Sequence, residues 1–497
     1  MFNLKTLNVN LIINFISNIS QAIVSILLTP ILLKYFGIEA FGLISLLAYI
    51  QTFFFLLDAG FSNTLTIEIS KYRGSNDIYN INRISSLFLT IFIFGALSIL
   101  IGMFIFSPIV HNLVKDAKNI TPSSITKSAL ISGVILSLRF FGIFQRAVLL
   151  GYENHFKLSK TLIILNFFKL FSFFFIIKYK LLTTDVNNYF TMMLLIQILE
   201  FLYLNILFKK THNLSLSFKF KITKEDYNEN KNVFKMCFNF LIIGLCTILI
   251  SYSDKFFLAK NIPLNEFGIY SISMTICSFF LFLSSPFITI ATPLFSNTLA
   301  RGENDLIINQ FEYLSILNLT ILISAYFIFN FNSTFLLSLW LKNNEIIPNV
   351  TFIVKYWSLG TILTSFLGIQ SNILTIKGKL YIINKYNSIL AVLIFILFFI
   401  FIKVFGINGS ISVWLFYALV SFVFFQFLMI NEFTFIKYIK IVKKWSYIIA
   451  ILFLPYIIIF YSNHYLKFNN LFIFLIEIII NASTVYYLFT KKWKKII

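Results

Sequence analysis

The stretch LLKYFGIEAFGLIS at residues 32–45 has a counterpart in the second half of the chain, LAKNIPLNEFGIYS at residues 258–271. In each stretch a lysine, Lys34 or Lys260, precedes a Phe-Gly pair by seven residues. Two further pairs match at nearly the same offset. RGSND at residues 73–77 matches RGEND at 301–305, and LLG at 149–151 matches IKG at 376–378. The sequence therefore predicts that one structural unit occurs twice in the chain.

The composition excludes a water-soluble protein. Of 497 residues, 59% are hydrophobic and only 12% are charged, and 64 are Phe. Soluble domains carry about a quarter charged residues. A soluble enzyme, a nucleic-acid-binding domain and a disulfide scaffold are thereby excluded. Three cysteines in apolar stretches, four scattered histidines and no CxxC motif predict no metal site, cofactor or catalytic residue.

Long apolar runs predict the fold class. A bilayer core of about 30 Å requires roughly 20 apolar residues per helix, and these runs lack the alternation of a transmembrane β-strand. The prediction is an all-α integral membrane protein with about fourteen transmembrane helices, at residues 11–33, 41–66, 84–107, 128–150, 160–177, 187–208, 236–257, 266–294, 311–330, 351–374, 385–404, 409–430, 445–461 and 470–489.

The 40 Lys and Arg residues predict the orientation, because cytoplasmic loops retain them. With a cytoplasmic N-terminus, 25 of them fall in inside segments, 10 in outside loops and five within spans. Both termini are therefore expected in the cytoplasm. The net charge of +21 reflects orientation and does not indicate nucleic acid as a partner.

The repeat divides the spans into two sets. Spans 1–6 correspond to spans 7–12, and since six is even, both copies share one orientation. We expect two six-helix lobes related by a parallel repeat around a central cavity. The predicted divisions are an N-terminal lobe, a basic cytoplasmic linker, a C-terminal lobe, and helices 13 and 14 with a basic tail, at residues 1–208, 209–235, 236–430 and 431–497.

Several motifs resemble one known family. FGIEAFGL at 36–43 and LDAGFSN at 57–63 resemble the second-span signature of polysaccharide flippases, as do SDKFFL at 253–258 and FGIY at 267–270. QRAVLLGY at 145–152 resembles the end of that family's fourth span. The resemblance covers spans 1–12 and is to O-antigen (Wzx-type) flippases of the multidrug/oligosaccharidyl-lipid/polysaccharide (MOP) exporter superfamily.

This resemblance implies a function. Such proteins move an undecaprenyl-diphosphate-linked oligosaccharide from the cytoplasmic to the periplasmic leaflet of the bacterial inner membrane. The implied partners are that lipid-linked oligosaccharide, membrane lipids, and a polysaccharide polymerase with its chain-length regulator. The protein is expected to act by alternating access and not to be an enzyme.

Ionisable residues inside the spans are the candidate functional residues, because a charge at the bilayer centre costs roughly 3 kcal/mol or more. Arg139 and Arg146 are two helical turns apart and share one face of span 4, and Lys169 lies in span 5. We expect these three cations to line a cavity and bind the lipid diphosphate or an acidic sugar. The alternative is internal pairing, for example of Asp58 with Arg146.

Four other charges have less defined roles. Asp58 and Glu200 lie at depths similar to Arg146 and are candidates for ion coupling or structural pairing. Asp254 and Lys255 lie at the outer end of span 7, where their side chains could reach the interface.

Two rival functions remain. A MATE-like drug or cation antiporter would be expected to have an acidic cavity, whereas cations dominate here. A membrane polysaccharide polymerase would require a catalytic group on a long outside loop. The longest outside loops, at 108–127 and 331–350, contain only Asp116 and Glu345 as acids.

Overall fold

A computed structural model describes residues 4–152, 154–178, 185–211, 230–341 and 343–466, together with residues 474, 477, 479 and 483. Across these residues the regular structure is helical. Its α-helices are α1 Leu4–Gly74, α2 Ile78–Val110, α3 Pro122–Gly151, α4 His155–Lys178, α5 Val186–Thr211, α6 Lys231–Asn261, α7 Leu264–Ala300, α8 Asn304–Leu341, α9 Ile347–Ile376, α10 Leu380–Phe433 and α11 Phe435–Leu466.

Ten of the described helices, α1 to α10, are long and apolar enough to cross a membrane. The predicted all-α membrane architecture is therefore confirmed. The count of fourteen stays a prediction, because most of span 14 at 470–489 and most of the linker at 209–235 lie outside the described residues.

Two of the helices each contain a pair of predicted spans. Helix α1 includes spans 1 and 2 and is broken only at Gly37, whose φ of 83° lies in the left-handed region that favours glycine. Helix α10 includes spans 11 and 12 and is broken at Gly406, with a φ of 57°. The expected loop at 34–40 is thus a one-residue interruption of helical geometry.

Helix boundaries repeat along the chain. Helix α2 begins at Ile78, and its counterpart α8 begins at Asn304. Helices α3 and α9, and likewise α4 and α10, begin at almost the same separation along the sequence. The matching RGSND and RGEND motifs both occupy the turn that joins a long helix to the next one. Secondary structure therefore follows the duplication seen in the sequence.

The two Phe-Gly pairs of the repeat contact each other. A Cβ added to Gly42 of α1 would lie 2.6 Å from the carbonyl oxygen of Leu264 and 3.2 Å from the amide of Gly268. A Cβ added to Gly268 of α7 would in turn overlap the carbonyl of Ile38. Small residues at such a crossing let two helix backbones approach closely.

The chain separates into two compact units. Unit 1 contains Met1–Gly268 and Ser388–Gly406, and unit 2 contains Ile269–Asn387 and Ile407–Ile497. This division differs from the lobe boundaries expected from the repeat, and the lobe arrangement stays a prediction. Each unit has its own buried apolar cluster, with α2, α3 and the end of α1 packed together in unit 1 and α8, α9 and α11 in unit 2.

Aromatic side chains fill both clusters. In unit 1, Phe92 lies 5.9 Å from Phe144 between ring centroids, and Phe88 is fully buried beside them. In unit 2, Trp445 packs edge-on against Phe366 at 4.8 Å. Its indole nitrogen donates to the Ser315 hydroxyl at 3.1 Å, so the buried polar atom has a partner.

Four inter-span connections of unit 1 meet at one end. The residues around Gly37, Asn119, Asp185 and Pro263 line a single polar pocket of about 1080 Å³ there. Asn119 donates from its amide and side chain to Glu39, and the backbone amide of Leu264 donates to the Lys115 carbonyl at 3.1 Å. The charge count assigns all four connections to the outside, and an up-and-down helix order requires them to share one end.

The glycine crossing predicts a large effect of one methyl group. We expect Gly268→Ala to destabilise the purified protein by about 1–3 kcal/mol, because the new Cβ must displace the Ile38 backbone rather than a flexible side chain. Thermal unfolding in detergent measures the change. Gly102→Ala is the matched control, since nothing lies within 4 Å of its added Cβ. Equal melting temperatures for both variants would contradict the prediction.

Candidate functional site

The three predicted cations lie around one cavity in unit 1, and the predicted anion Glu200 lines it with them. The cavity has a volume of about 370 Å³ and is enclosed by the first half of α1, α3, α4 and α5. Its polar lining residues are Ser17, Gln21, Ser25, Arg139, Arg146, Asn166, Lys169, Gln197 and Glu200.

Neutral amides hold Arg139. Its Nε donates to Oε1 of Gln197 at 2.6 Å, and its Nη1 donates to Oε1 of Gln51 at 2.8 Å. Gln51 is itself fixed by a 2.8 Å hydrogen bond from its Nε2 to Ser132. The guanidinium group is therefore fixed in place by three helices, while no carboxylate among the described residues neutralises its charge.

Arg146 has a carboxylate partner. Its Nη2 donates to Oε1 of Glu200, and both side chains are mostly buried. Depth within the membrane suggests Asp58 as a partner for Arg146. In the structure Glu200 occupies that position, because α5 faces α3 at this level.

Lys169 projects from α4 into the same cavity. It forms no hydrogen bond or ion pair with any residue that the structure describes. Nearby, Nδ2 of Asn166 donates to the Ser20 hydroxyl at 3.2 Å, which ties α4 to α1 beside the ammonium group. Across the cavity, three cations face one anion, so the lining carries an excess of two positive charges.

Polar contacts connect α3 to α5 over most of their length. The hydroxyl of Ser128 donates to the side-chain oxygen of Asn187 at 3.0 Å near one end. Gln145 donates to Asn205 toward the other end, beside the Arg146 contact, and the Arg139 contact lies between the two ends. Interhelical hydrogen bonds of this kind hold helices together where lipid provides no hydrophobic driving force. This polar seam positions both arginines toward the cavity.

Asp58 lies elsewhere in unit 1. Its side chain is 2% exposed and its Oδ1 has no hydrogen-bond partner among the described residues. Gly60, half a turn away, sits against α6, where an added Cβ would lie 2.7 Å from the carbonyl of Cys237. The carboxylate is thus close to a tight crossing of α1 and α6, outside the cationic cavity.

Asp254 and Lys255 also lie outside the cavity, where they contact each other. The Lys255 ammonium group lies 2.9 Å from Oδ2 of Asp254 and donates to the Ser251 carbonyl at 2.7 Å. The rings of Tyr49 and Tyr252 are within 5.7 Å and 5.4 Å of it. This buried arrangement is that of an ion pair enclosed by aromatic rings.

Sequence reasoning missed the amides that organise the cavity. Gln51 and Gln197 both fall in predicted spans, and their signal was an amide in an otherwise apolar run. Gln197 precedes Glu200 by three residues, so both lie on one face of α5. Weighing amides as well as charges would have identified them.

The ten long apolar helices are those of a multi-pass membrane protein, and unit 1 encloses a cationic cavity. No family model matches the chain, and no curated protein matches it. Solved structures do match. The lipid II flippase MurJ in an inward closed conformation is similar over 97% of this chain and 99% of that chain, with a TM-score of 0.72 and 15% identity.

Two other solved structures are transporters. An inward-facing multidrug resistance MATE family transporter of the MOP superfamily covers 83% of this chain and 95% of its own, with a TM-score of 0.66 and 13% identity. A MOP superfamily transporter from Pyrococcus furiosus, described as having a binding pocket of reverse polarity, matches with a TM-score of 0.57 and 12% identity over 85% and 95% of the two chains. The chain has the fold that these proteins share.

The polar seam predicts a measurable coupling between α3 and α5. We expect the stability effects of Ser128→Ala and Asn187→Ala to be non-additive by about 0.6 kcal/mol, a typical value for one interhelical hydrogen bond in a membrane protein. Chemical unfolding of the wild type, the two single variants and the double variant in mixed micelles measures this double-mutant cycle. Ser172→Ala paired with Asn187→Ala is the control, because Ser172 donates to its own helix at Phe168. Additivity in both cycles would contradict the prediction.

Proposed function

We propose that the protein is a flippase that moves undecaprenyl-diphosphate-linked O-antigen units from the cytoplasmic to the periplasmic leaflet of the bacterial inner membrane. The observation that carries this proposal is the cavity with an excess of two positive charges. Arg139 and Lys169 have no carboxylate partner in the described part of the chain, so they are available to an anion.

A phosphate group suits these cations. Arg offers donors in a planar fork that matches phosphate oxygens, and Lys adds a point charge. Inside a membrane their attraction to an anion is stronger than in water, because the local dielectric constant is low. The amides of Gln51 and Gln197 hold the Arg139 fork in place before the ligand arrives, which lowers the entropy lost on binding.

The fold supports a lipid-linked substrate. Among the similar structures, the MurJ lipid II flippase covers nearly the whole of both chains, whereas the MATE transporter covers 83% of this one. Alternating access in such a fold exposes a cavity to each side of the membrane in turn. We propose that both termini lie in the cytoplasm. We propose a polysaccharide polymerase and a chain-length regulator as partners, and we propose that the protein transports its substrate without catalysing a reaction.

Asp58 and Glu200 are proposed to have different roles. Glu200 pairs with Arg146 inside the cavity. Asp58 remains a candidate for ion coupling or for a structural role, since one oxygen of this buried carboxylate has no hydrogen-bond partner among the described residues, and a buried charge is costly in a span. The Asp254–Lys255 pair is proposed to be structural.

Removing the Arg139 charge should strongly reduce transport. We expect Arg139→Ala to lower flipping of a fluorescent undecaprenyl-diphosphate-linked oligosaccharide in proteoliposomes by about 100-fold, because one charge-assisted phosphate contact is worth about 1.5–3 kcal/mol and its fixed geometry is lost too. Arg139→Lys should retain part of the activity, since it keeps the charge but cannot reach both Gln51 and Gln197.

Arg301→Ala is the matched control for Arg139→Ala. Arg301 is exposed in the turn between α7 and α8, so its loss should leave flipping unchanged. Both variants must be present at wild-type level in the vesicles. Wild-type flipping by Arg139→Ala would show that the cavity charge does not bind substrate.

A drug or cation antiporter is the alternative function, and the similarity to MATE structures favours testing it. A cavity with excess positive charge repels organic cations. We therefore expect no protection against ethidium when the protein is produced in an efflux-deficient host, and no ethidium transport in proteoliposomes. Proton-driven ethidium transport that Asp58→Asn abolishes would favour the antiporter instead.

A further inference from the structure

The three cavity cations are held in two different ways. Arg139 is held by neutral amides and Lys169 by no described residue, so each presents a full charge. Arg146 is partly neutralised by Glu200. An arginine that only served to bind an anion would not require a resident carboxylate beside it.

The contact between Arg146 and Glu200 leaves donors unused. Among the described residues, Arg146 meets Glu200 through Nη2 alone, rather than through the two parallel hydrogen bonds of a bidentate pair. Its buried Nε has no hydrogen-bond partner in the same part of the chain. Both side chains also line the cavity, so an entering anion reaches Arg146 without unfolding the α3–α5 seam.

We propose that Glu200 is a built-in competitor for Arg146: it sets the cavity charge to that of a two-phosphate headgroup and promotes the release of that headgroup. This inference rests on the proposed flippase function and deepens it. One phosphate binds Arg139 and Lys169, and the second phosphate replaces the Glu200 carboxylate on Arg146.

The charge balance follows from the headgroup chemistry. A diphosphate that links a lipid to a sugar carries one negative charge on each phosphate, and these two charges balance the excess of the cavity lining. A single phosphodiester carries one negative charge, so one of the two excess positive charges of the lining stays uncompensated. An uncompensated charge in a low-dielectric site is unfavourable. Without Glu200 the lining would exceed even the diphosphate charge, and the headgroup would be held too tightly.

Binding of an undecaprenyl-diphosphate-linked sugar and an undecaprenyl-phosphate-linked sugar to the full-length protein in nanodiscs tests the proposal, because these two lipids differ by one phosphate and carry two and one negative charges. We expect the wild type to bind the diphosphate about tenfold more tightly. For Glu200→Gln we expect about tenfold tighter diphosphate binding, equivalent to one charge-assisted hydrogen bond, together with slower maximal flipping at saturating lipid. Tighter binding with slower turnover is the signature of hindered release.

A second variant tests the charge balance from the opposite direction. Gln197→Glu keeps nearly the same side-chain size and puts a carboxylate on Arg139, which lowers the excess charge of the lining to one. We expect it to weaken diphosphate binding about tenfold and to reduce the preference over the monophosphate. This variant keeps the proposal testable if Glu200→Gln does not fold.

The outcomes separate this inference from the proposed function. If Glu200→Gln folds and binds the diphosphate no more tightly than the wild type, Glu200 is only a structural partner of Arg146 and the inference is overturned. If Gln197→Glu keeps wild-type binding, the charge balance is overturned. If the wild type binds neither lipid, the proposed flippase function itself fails.

Discussion

The cost of a permanent charge inside the bilayer governs the arrangement of unit 1. A guanidinium group does not lose its proton at any pH that a cell experiences, so Arg139 must be solvated by the protein. Gln51 on α1 and Gln197 on α5 provide that solvation, and each brings its helix against α3. The cavity, the polar seam and the packing of three helices therefore follow from one buried arginine.

Solvating a cation with amides differs from neutralising it with a carboxylate. Amide oxygens are dipoles, which stabilise the charge locally yet leave its long-range field intact. Arg139 consequently presents its charge to the cavity, whereas an ion pair such as Lys255 with Asp254 presents almost no net charge. The choice of partner therefore distinguishes a cation that keeps its charge from one that is neutralised, although both are arginine or lysine in an apolar helix.

This distinction also determines what the sequence could predict. The spacing of Arg139 and Arg146, two helical turns apart, places them on one helix face, and the lengths of the apolar runs indicate the spans. The candidate cations and the helices could therefore be predicted from the sequence alone. The partner of Arg146 was not, because spacing along α3 does not say which helix faces it. Asp58 and Glu200 lie at similar depths in the predicted spans, so depth does not distinguish them as partners of Arg146. The packing of α5 against α3 brings Glu200 to Arg146. The break at Gly37 was likewise hidden, since one glycine in the left-handed region replaces a loop.

The duplication allows the three cavity cations of the first copy to be compared with the corresponding residues of the second copy. When the two copies are aligned through the first residues of α3 and α9, the counterparts of Arg139, Arg146 and Lys169 are Thr364, Ser371 and Ile394; when they are aligned through the LLG and IKG motifs, the counterparts are Phe366, Ile373 and Ile396. The second copy thus keeps the helices and has none of the three cations. A symmetric pair of cationic sites would suit a ligand charged at both ends. One cationic copy suits a ligand with a single anionic group joined to uncharged parts, which is the chemistry of a diphosphate between a lipid and a sugar.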